Sequence, residues 1–193
     1  MTIEEIFREI SSHMLTGVML HEQQADYYDF LNLHGYKRMA EYHAKCEMKS
    51  YRRLHRYFLN HQNRLIEEDV FTNPDAIPSS WYRYTRQDVD ANTKRNAVRT
   101  GIEKWVAWEQ ETKTMYEKMY KELMEIGEVA AAKKIACLLC DADRELKWAQ
   151  RKHIDLVTAD YSISYILGEQ TYLHDWYKKK MRRTHDKHGA DKR

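Results

Sequence analysis

Two glutamates lie at matching places in the two halves of the chain, and their side chains could hold a metal ion. Glu22 lies in the segment LHEQQ and Glu109 in the segment WEQE, each within a long run of helical periodicity. A carboxylate on the core-facing stripe of a helix is costly to bury unless a cation or a hydrogen-bond donor compensates it. One such carboxylate from each half predicts a four-helix bundle of two hairpins, with a metal site at its centre.

Further acidic and imidazole side chains on the predicted helices could complete this site. His43 and Glu47 are spaced i, i+4 on the second helix, so both can reach one point in space. On the fourth helix the acidic candidates are Asp143 and Glu145. Sites built from carboxylates and imidazoles hold iron or manganese. Two alternatives stay open: His43 and Glu47 on a solvated helix face, and a bundle that holds no metal.

The three cysteines are weaker candidates for chemistry. Cys137 and Cys140 share one helix face, but zinc sites usually bring two such pairs, and only Cys46 remains to join them. An odd number of cysteines fits a reducing compartment better than a disulfide framework. Because the N-terminus also lacks the basic and apolar regions of a signal peptide, we expect a cytoplasmic protein.

The composition predicts a nearly all-helical domain. The chain of 193 residues contains only six glycines and two prolines, and both prolines fall in one short segment. The charged share of 32% indicates solvated helix faces. No apolar run approaches the roughly 18–20 residues that a membrane span needs, so we expect no membrane partner.

Apolar residues at helical spacing predict five helices, and local signals mark their ends. Thr2 and Glu5 have the spacing of a capping box, Gly35 is expected to end the first helix in a left-handed conformation, and Gly127 is expected to end the third helix in a tight turn. The expected helices span about 2–32, 36–67, 93–126, 128–158 and 162–182.

The segment 70–92 interrupts the helical pattern with Pro74, Pro78 and an aromatic cluster around Trp81. A connection of this length inside a compact domain is uncommon and needs a structural reason. We expect a crossover that travels the length of the bundle. The third helix would then run parallel to the second.

This order of helices, with two local sequence matches, resembles the ferritin-like superfamily, and within it the ferritins. In the second helix, the segment YKRMAEY over 36–42 is similar to the family's stretch ending Phe-Ala-Lys-Tyr-Phe. In the first helix, Glu22 is followed by Ala25, Tyr27 and Phe30, similar to the family's Glu-Leu-Tyr-Ala-Ser-Tyr segment. The resemblance covers about 3–158, and the fifth helix is also in its place. It implies an all-α ferritin-like four-helix bundle with a long crossover and a short fifth helix.

The resemblance also implies a diiron centre, and the chain departs from its motif. Glu22 and Glu109 match the ligands of the first and third helices, but the family's Glu-x-x-His on the second helix falls on Ser50 and Arg53. An inward Arg53 would pair with one of the two glutamates in place of a metal. The resemblance therefore implies metal binding, or iron storage and oxidation with a weakened or lost ferroxidase site. The implied cofactor is iron or manganese.

The alternative is a metal-free ferritin-like scaffold that acts in assembly or binding. The segment 178–193 carries eight Lys or Arg against two Asp, so it could contact nucleic acid through phosphates. A solvated, frayed terminus is the other interpretation. We expect one bundle domain over 1–182, a flexible basic tail over 183–193 and, from the superfamily's habit, a homo-oligomer.

Overall fold

The computed structural model describes residues 1–66 and 89–190, with side chains described through residue 180. The described part of the chain is folded into five helices. They are α1 (Ile3–Phe30), α2 (His34–Gln62), α3 (Ala91–Glu125), α4 (Val129–Thr158) and α5 (Ile163–Ala190). Most of the predicted crossover, 67–88, lies outside the described residues.

The helix starts follow from side-chain capping. The Thr2 and Glu5 pair forms the expected capping box: the Glu5 carboxylate accepts from the Thr2 backbone N–H at 2.8 Å, and Thr2 Oγ1 accepts from the Glu5 N–H at 3.2 Å. At the start of α3, Asp90 Oδ1 accepts from the Thr93 N–H at 2.7 Å. Both caps satisfy backbone donors that a helix otherwise leaves unpaired.

The two expected glycine stops behave differently. Gly127 has φ +82° and joins α3 to α4, as predicted. The prediction for Gly35 is wrong, because Asn32 holds the positive φ of 56° and Gly35 lies inside α2. A Cβ on Gly35 would stand 2.4 Å from the Gln170 carbonyl oxygen. The glycine therefore permits a close approach of α5 to α2.

Cross-helix contacts establish the directions of the helices. Ser11 near the start of α1 meets His55 near the end of α2, at 2.7 Å between Oγ and Nε2, so these helices are antiparallel. His13 likewise contacts Thr112 in the second half of α3, at 2.7 Å. Because α1 is antiparallel to both, α2 and α3 run parallel to each other. This confirms the predicted order of two hairpins with α2 parallel to α3; most of the connection between them lies outside the described residues.

A polar layer separates two apolar clusters inside the bundle. One cluster contains Leu31, Tyr36, Ile102 and Leu156 with their neighbours, near the loop between α1 and α2. The other, at the far end, includes Ile10 and its neighbours. Helix α5 packs against α2 and α3. Within the described residues, no helix combines the length and the apolar character that crossing a membrane requires.

Helix α5 is longer than the expected short helix, since it continues past Arg182 to Ala190. Its attachment includes a buried polar contact. Glu169 accepts a hydrogen bond from Lys152 Nζ of α4 at 2.5 Å, and another from the hydroxyl of Tyr36 on α2. The lysine and the glutamate are both buried, so this trio ties three helices together at a defined register.

Candidate metal centre

Three buried side chains from three helices converge in the polar layer. Each of His21 on α1, His43 on α2 and Glu109 on α3 offers a ligand atom, and these atoms all lie within 4.8 Å of one another. The exposed fractions are 1%, 4% and 3%. Such separations allow all three to reach one cation. Among the described residues, this is the cluster of histidine and acidic groups that could hold a metal ion.

A hydrogen-bonded chain orients the His21 ring. The Gln24 amide nitrogen donates to the Gly101 carbonyl at 3.4 Å, which leaves its Oε1 to accept from His21 Nδ1 at 3.2 Å. His21 Nε2 is buried without a hydrogen-bond partner among the residues that the structure describes. Burial lowers the pKa of His21 from 6.5 to about 4, although Gln24 counteracts this. The ring is therefore neutral, with its free nitrogen lone pair in the site, as a metal-ligating histidine requires.

The His43 ring is in a comparable state. Its Nε2 is also buried without a hydrogen-bond partner, and its Nδ1 lies 3.7 Å from Glu145 Oε2. Burial, the nearby His21 and the charge of Lys180 lower the pKa of His43 well below 6.5. The ring packs between indoles, 4.5 Å from Trp105 and 5.0 Å from Trp148 between centroids.

Glu109 is the deepest carboxyl of the site. Trp105 Nε1 donates to its Oε1 at 3.1 Å. Burial raises the pKa of Glu109 well above 4.5, and the charges of Glu47 and Glu145 raise it further. Within 1–66 and 89–180, no basic side chain forms a hydrogen bond or ion pair with this carboxylate, so the ionised form needs a cation to be stable here.

Glu47 and Glu145 line a cleft of about 400 Å³ that reaches His43 and Glu109. Burial raises the pKa of Glu47 from 4.5 to about 7, with the Trp108 indole counteracting and Glu145 reinforcing the shift. Burial also raises the pKa of Glu145. One oxygen of Glu145, Oε2, is buried without a hydrogen-bond partner. The cleft therefore brings two further carboxyls within reach of an ion at the three-residue cluster.

The donor set fits a divalent transition-metal ion. Two neutral imidazoles present nitrogens without hydrogen-bond partners among the described residues, and burial, with smaller contributions from neighbouring carboxylates, raises the pKa of Glu47, Glu109 and Glu145. Both features are unfavourable in a metal-free core and favourable around a cation. Two imidazoles and one carboxylate, with more carboxylates nearby, suit iron or manganese among the common metals.

Four of the six sequence candidates lie at this site, and two do not. Glu109, His43, Glu47 and Glu145 are brought together around the cleft. Glu22 is exposed, so the prediction that it faces Glu109 is wrong. Asp143 lies outside the cleft, and its carboxylate pairs with Lys113 at 2.9 Å and Lys147 at 2.5 Å. Those lysines hold the pKa of Asp143 below its usual range.

The predicted departure on the second helix also needs correction. Arg53 is exposed and does not pair with Glu109. The cleft that reaches Glu109 is lined on α2 by His43 and Glu47, and also by Ser50 and Arg53 further along the helix.

Sequence reasoning missed His21, although the sequence carries a signal for it. The buried stripe of α1 alternates spacings of four and three through the residues Ile10, Met14, Gly17, His21, Gln24 and Tyr28. The predicted stripe instead passed through Val18 to Glu22. Because Gly17 has no side chain, an apolar pattern gives no signal at that position and selects the neighbouring Val18 instead. A strict heptad spacing from Met14 selects His21.

Comparisons with known proteins bear on the fold. No protein-family profile matches the chain, and no curated protein sequence matches it. A humanized archaeal ferritin superposes with a TM-score of 0.74 at 13% identity, covering 88% of this chain and 93% of that one. A closed form of the Archaeoglobus fulgidus ferritin, engineered by site-directed mutagenesis, gives 0.74 at 11% identity, covering 90% and 96%.

An open-pore ferritin from the same hyperthermophilic archaeon is similar, with a TM-score of 0.73 at 12% identity over 88% of this chain and 92% of that one. At such identities the likeness concerns the arrangement of helices and not the ligands. The helix order, the parallel α2 and α3 and these superpositions agree with one another. The chain has the ferritin-like fold.

Proposed function

We propose that this protein binds a divalent transition-metal ion, iron or manganese, through His21, His43 and Glu109, and acts in iron handling. Glu47 and Glu145 complete the coordination from the cleft. The observation that carries the proposal is the pair of buried imidazole nitrogens without hydrogen-bond partners, which converge with a carboxylate within 4.8 Å. The similarity in fold to ferritins supports iron over the other metals that such a site accepts.

The chain's own residues prepare the site before any metal arrives. Gln24 holds the His21 tautomer, and Trp105 holds one oxygen of Glu109. When bound, the metal would supply redox chemistry or a storage nucleus for iron oxidation. The protein contributes ligands that are buried away from water and already oriented, together with a cleft through which an ion can enter. Ferroxidase activity is a narrower expectation that requires the metal to cycle between oxidation states.

Metal titration of matched variants tests the proposal. We expect purified protein to bind Fe(II), Mn(II) or the spectroscopic substitute Co(II), and His21→Ala to weaken binding by about 100-fold or more, because even second-shell changes cost about 10- to 100-fold. Glu22→Gln is the matched control, since it alters the adjacent exposed residue that sequence reasoning selected. His61→Ala controls for loss of an exposed histidine on α2. Equal binding by His21→Ala and wild type would refute the site.

Assembly into homo-oligomers is a separate proposal, supported by exposed apolar side chains on α4 and α5. Ile154 is 61% exposed, Val157 54% and Tyr172 62%. Apolar residues gathered on an outer face often mark a contact between subunits. Mass photometry of the full chain would give the assembly state directly, and a monomer at all concentrations would contradict this proposal.

A further inference from the structure

The cleft that leads to the candidate metal centre has a basic rim. The rim consists of the exposed charged residues of the cleft, which are Lys49, Arg53, Asp141 and Arg144. Arg144 Nη2 lies 3.1 Å from Asp141 Oδ1, so this pair is neutral as a whole. Lys49 and Arg53 then leave the rim with two uncompensated positive charges from its four members.

The inner end of the same cleft has the opposite character. His43 and Glu109 are buried there, and the half-buried Glu47 and Glu145 lie between them and solvent. Among the described residues, neither His43 Nε2 nor Glu145 Oε2 has a hydrogen-bond partner, although both atoms are buried. Groups suited to a cation therefore lie behind a rim that carries the same sign of charge as the cation.

A further positive charge lies on the α5 side of the cleft. Lys180 Nζ is 5.8 Å from the ring centroid of Tyr42, a residue of the cleft wall. A divalent ion that enters alone meets repulsion from this lysine and from the rim, whereas a small anion is attracted. An ion carried by an anionic partner would avoid the repulsion.

We propose that the metal reaches the centre as an anionic complex with a small oxyanion chelator, a polycarboxylate or a polyphosphate, whose outer oxygens bind the basic rim. Guanidinium groups bind carboxylates and phosphates through two parallel hydrogen bonds, and Arg53 presents such a group at the rim. The cleft volume of about 400 Å³ lies in the range of small-molecule sites.

Transfer of the ion is an exchange of ligands. The bonds from the metal to the chelator oxygens break, and bonds to His21, His43 and Glu109 replace them. The oxidation state of the metal does not change, and the chelator leaves as the free anion. The inference rests on the proposed metal site, to which it adds the chemical form in which the ion is delivered.

Stopped-flow uptake of Co(II), followed by its visible absorption as imidazoles bind, tests the proposal with two forms of the metal. One is the hydrated ion, and the other is the anionic Co(II)–citrate complex. We expect Arg53→Gln to slow uptake from citrate by about 3-fold and to speed uptake of the hydrated ion by about 2-fold, because the variant removes one positive charge from the rim. Arg52→Gln is the matched control, since Arg52 is exposed and absent from the cleft, and it should change neither rate.

Salt and a second chelator complete the test. Added KCl should slow uptake from citrate and speed uptake of the hydrated ion in the wild type, because it screens the rim. Co(II)–pyrophosphate separates the two chelator classes: slowing by Arg53→Gln with only one complex assigns the class to that chelator. Circular dichroism checks that each variant folds.

The outcomes separate this inference from the proposed function. If Co(II) binds in neither form, the proposed function fails and takes the inference with it. If Co(II) binds but Arg53→Gln changes uptake from both chelates no more than Arg52→Gln does, the inference fails alone. Equal slowing of the hydrated ion and the chelates by Arg53→Gln would also overturn it, since an effect of rim charge must differ in sign between them.

Discussion

At the scale of single residues, the site places groups where they are unfavourable without a cation. Glu109 is buried with a raised pKa, and two imidazole nitrogens have no hydrogen-bond partner. A core selected only for packing would avoid both, since each costs free energy of folding. The proposed metal site accounts for this cost, because a bound cation would offset it.

Replacing Glu109 with a neutral side chain should raise the stability of the metal-free protein and remove the stabilisation that metal gives. Glu109→Gln keeps the side-chain shape, and we expect the metal-free protein at pH about 7.5 to gain about 1–3 kcal/mol in free energy of unfolding. The same variant should lose the stabilisation that metal gives to the wild type. Urea denaturation with and without Mn(II) measures both effects. Asp143→Asn, on a solvated ion pair, is the control. A metal-free Glu109→Gln protein less stable than wild type would contradict this account.

At the scale of the helices, small residues let the elements approach closely enough to form the site. Trp108 is held between His13, stacked at 4.0 Å, and Gly17, where an added Cβ would stand 2.8 Å from Trp108 Cζ2. The same indole lies beside Glu47. The closeness of α1 and α3 at Gly17 therefore helps to position a carboxyl of the centre on α2.

Two glycine-to-alanine variants test this role, and we expect one to lower the free energy of unfolding and the other to raise it. Gly17→Ala should destabilise the protein by about 1–3 kcal/mol, because overpacking against Trp108 outweighs the higher helix propensity of alanine. Gly168→Ala on α5, where nothing lies within 4 Å of the added Cβ, should stabilise it by about 0.5–1 kcal/mol. Thermal unfolding of both variants gives the comparison. Stabilisation by Gly17→Ala would show that the indole is free to move.

Helix positions could be predicted from the sequence, whereas the rotation of α1 could not. Caps such as Thr2 and turns such as Gly127 are local signals in the sequence. The approximate ends of the helices and the order of the two hairpins could therefore be predicted from the sequence. The choice between His21 and Glu22 depends on which side of α1 faces α3. That choice is set by the contact of Gly17 with Trp108, a partner 91 positions away in the chain, which no periodicity within α1 contains.

At the scale of the whole molecule, buried histidines and buried carboxyls make opposing contributions to the pH dependence of metal-free stability, and His21 and Glu47 illustrate the two signs. Because the native pKa of His21 is lowered from 6.5 to about 4, stability from this group is lost as pH falls from 6.5 towards 4. Because the native pKa of Glu47 is raised from 4.5 to about 7, stability from this group is lost as pH rises from 4.5 towards 7. Each contributes at most about 1.4 kcal/mol per pH unit.

The variant Glu47→Gln isolates the second titration. Relative to wild type, we expect its metal-free stability to increase progressively between pH about 4.5 and 7 and to level off above that range. Urea midpoints collected across this range measure the difference. Parallel pH profiles for the two proteins would mean that Glu47 ionises as it does in water, and the cleft would then be too solvated to act as described.

The most direct test of the central claim is a crystal structure of the full chain grown with Mn(II) or Fe(II), with diffraction data collected on both sides of the metal absorption edge. We predict an anomalous peak bonded to Nε2 of His21, Nε2 of His43 and an oxygen of Glu109. Metal–ligand distances of about 2.0–2.3 Å are expected for such ligands. A structure from metal-containing crystals with no peak among these three side chains, or with His21 turned away from Glu109, would contradict the account.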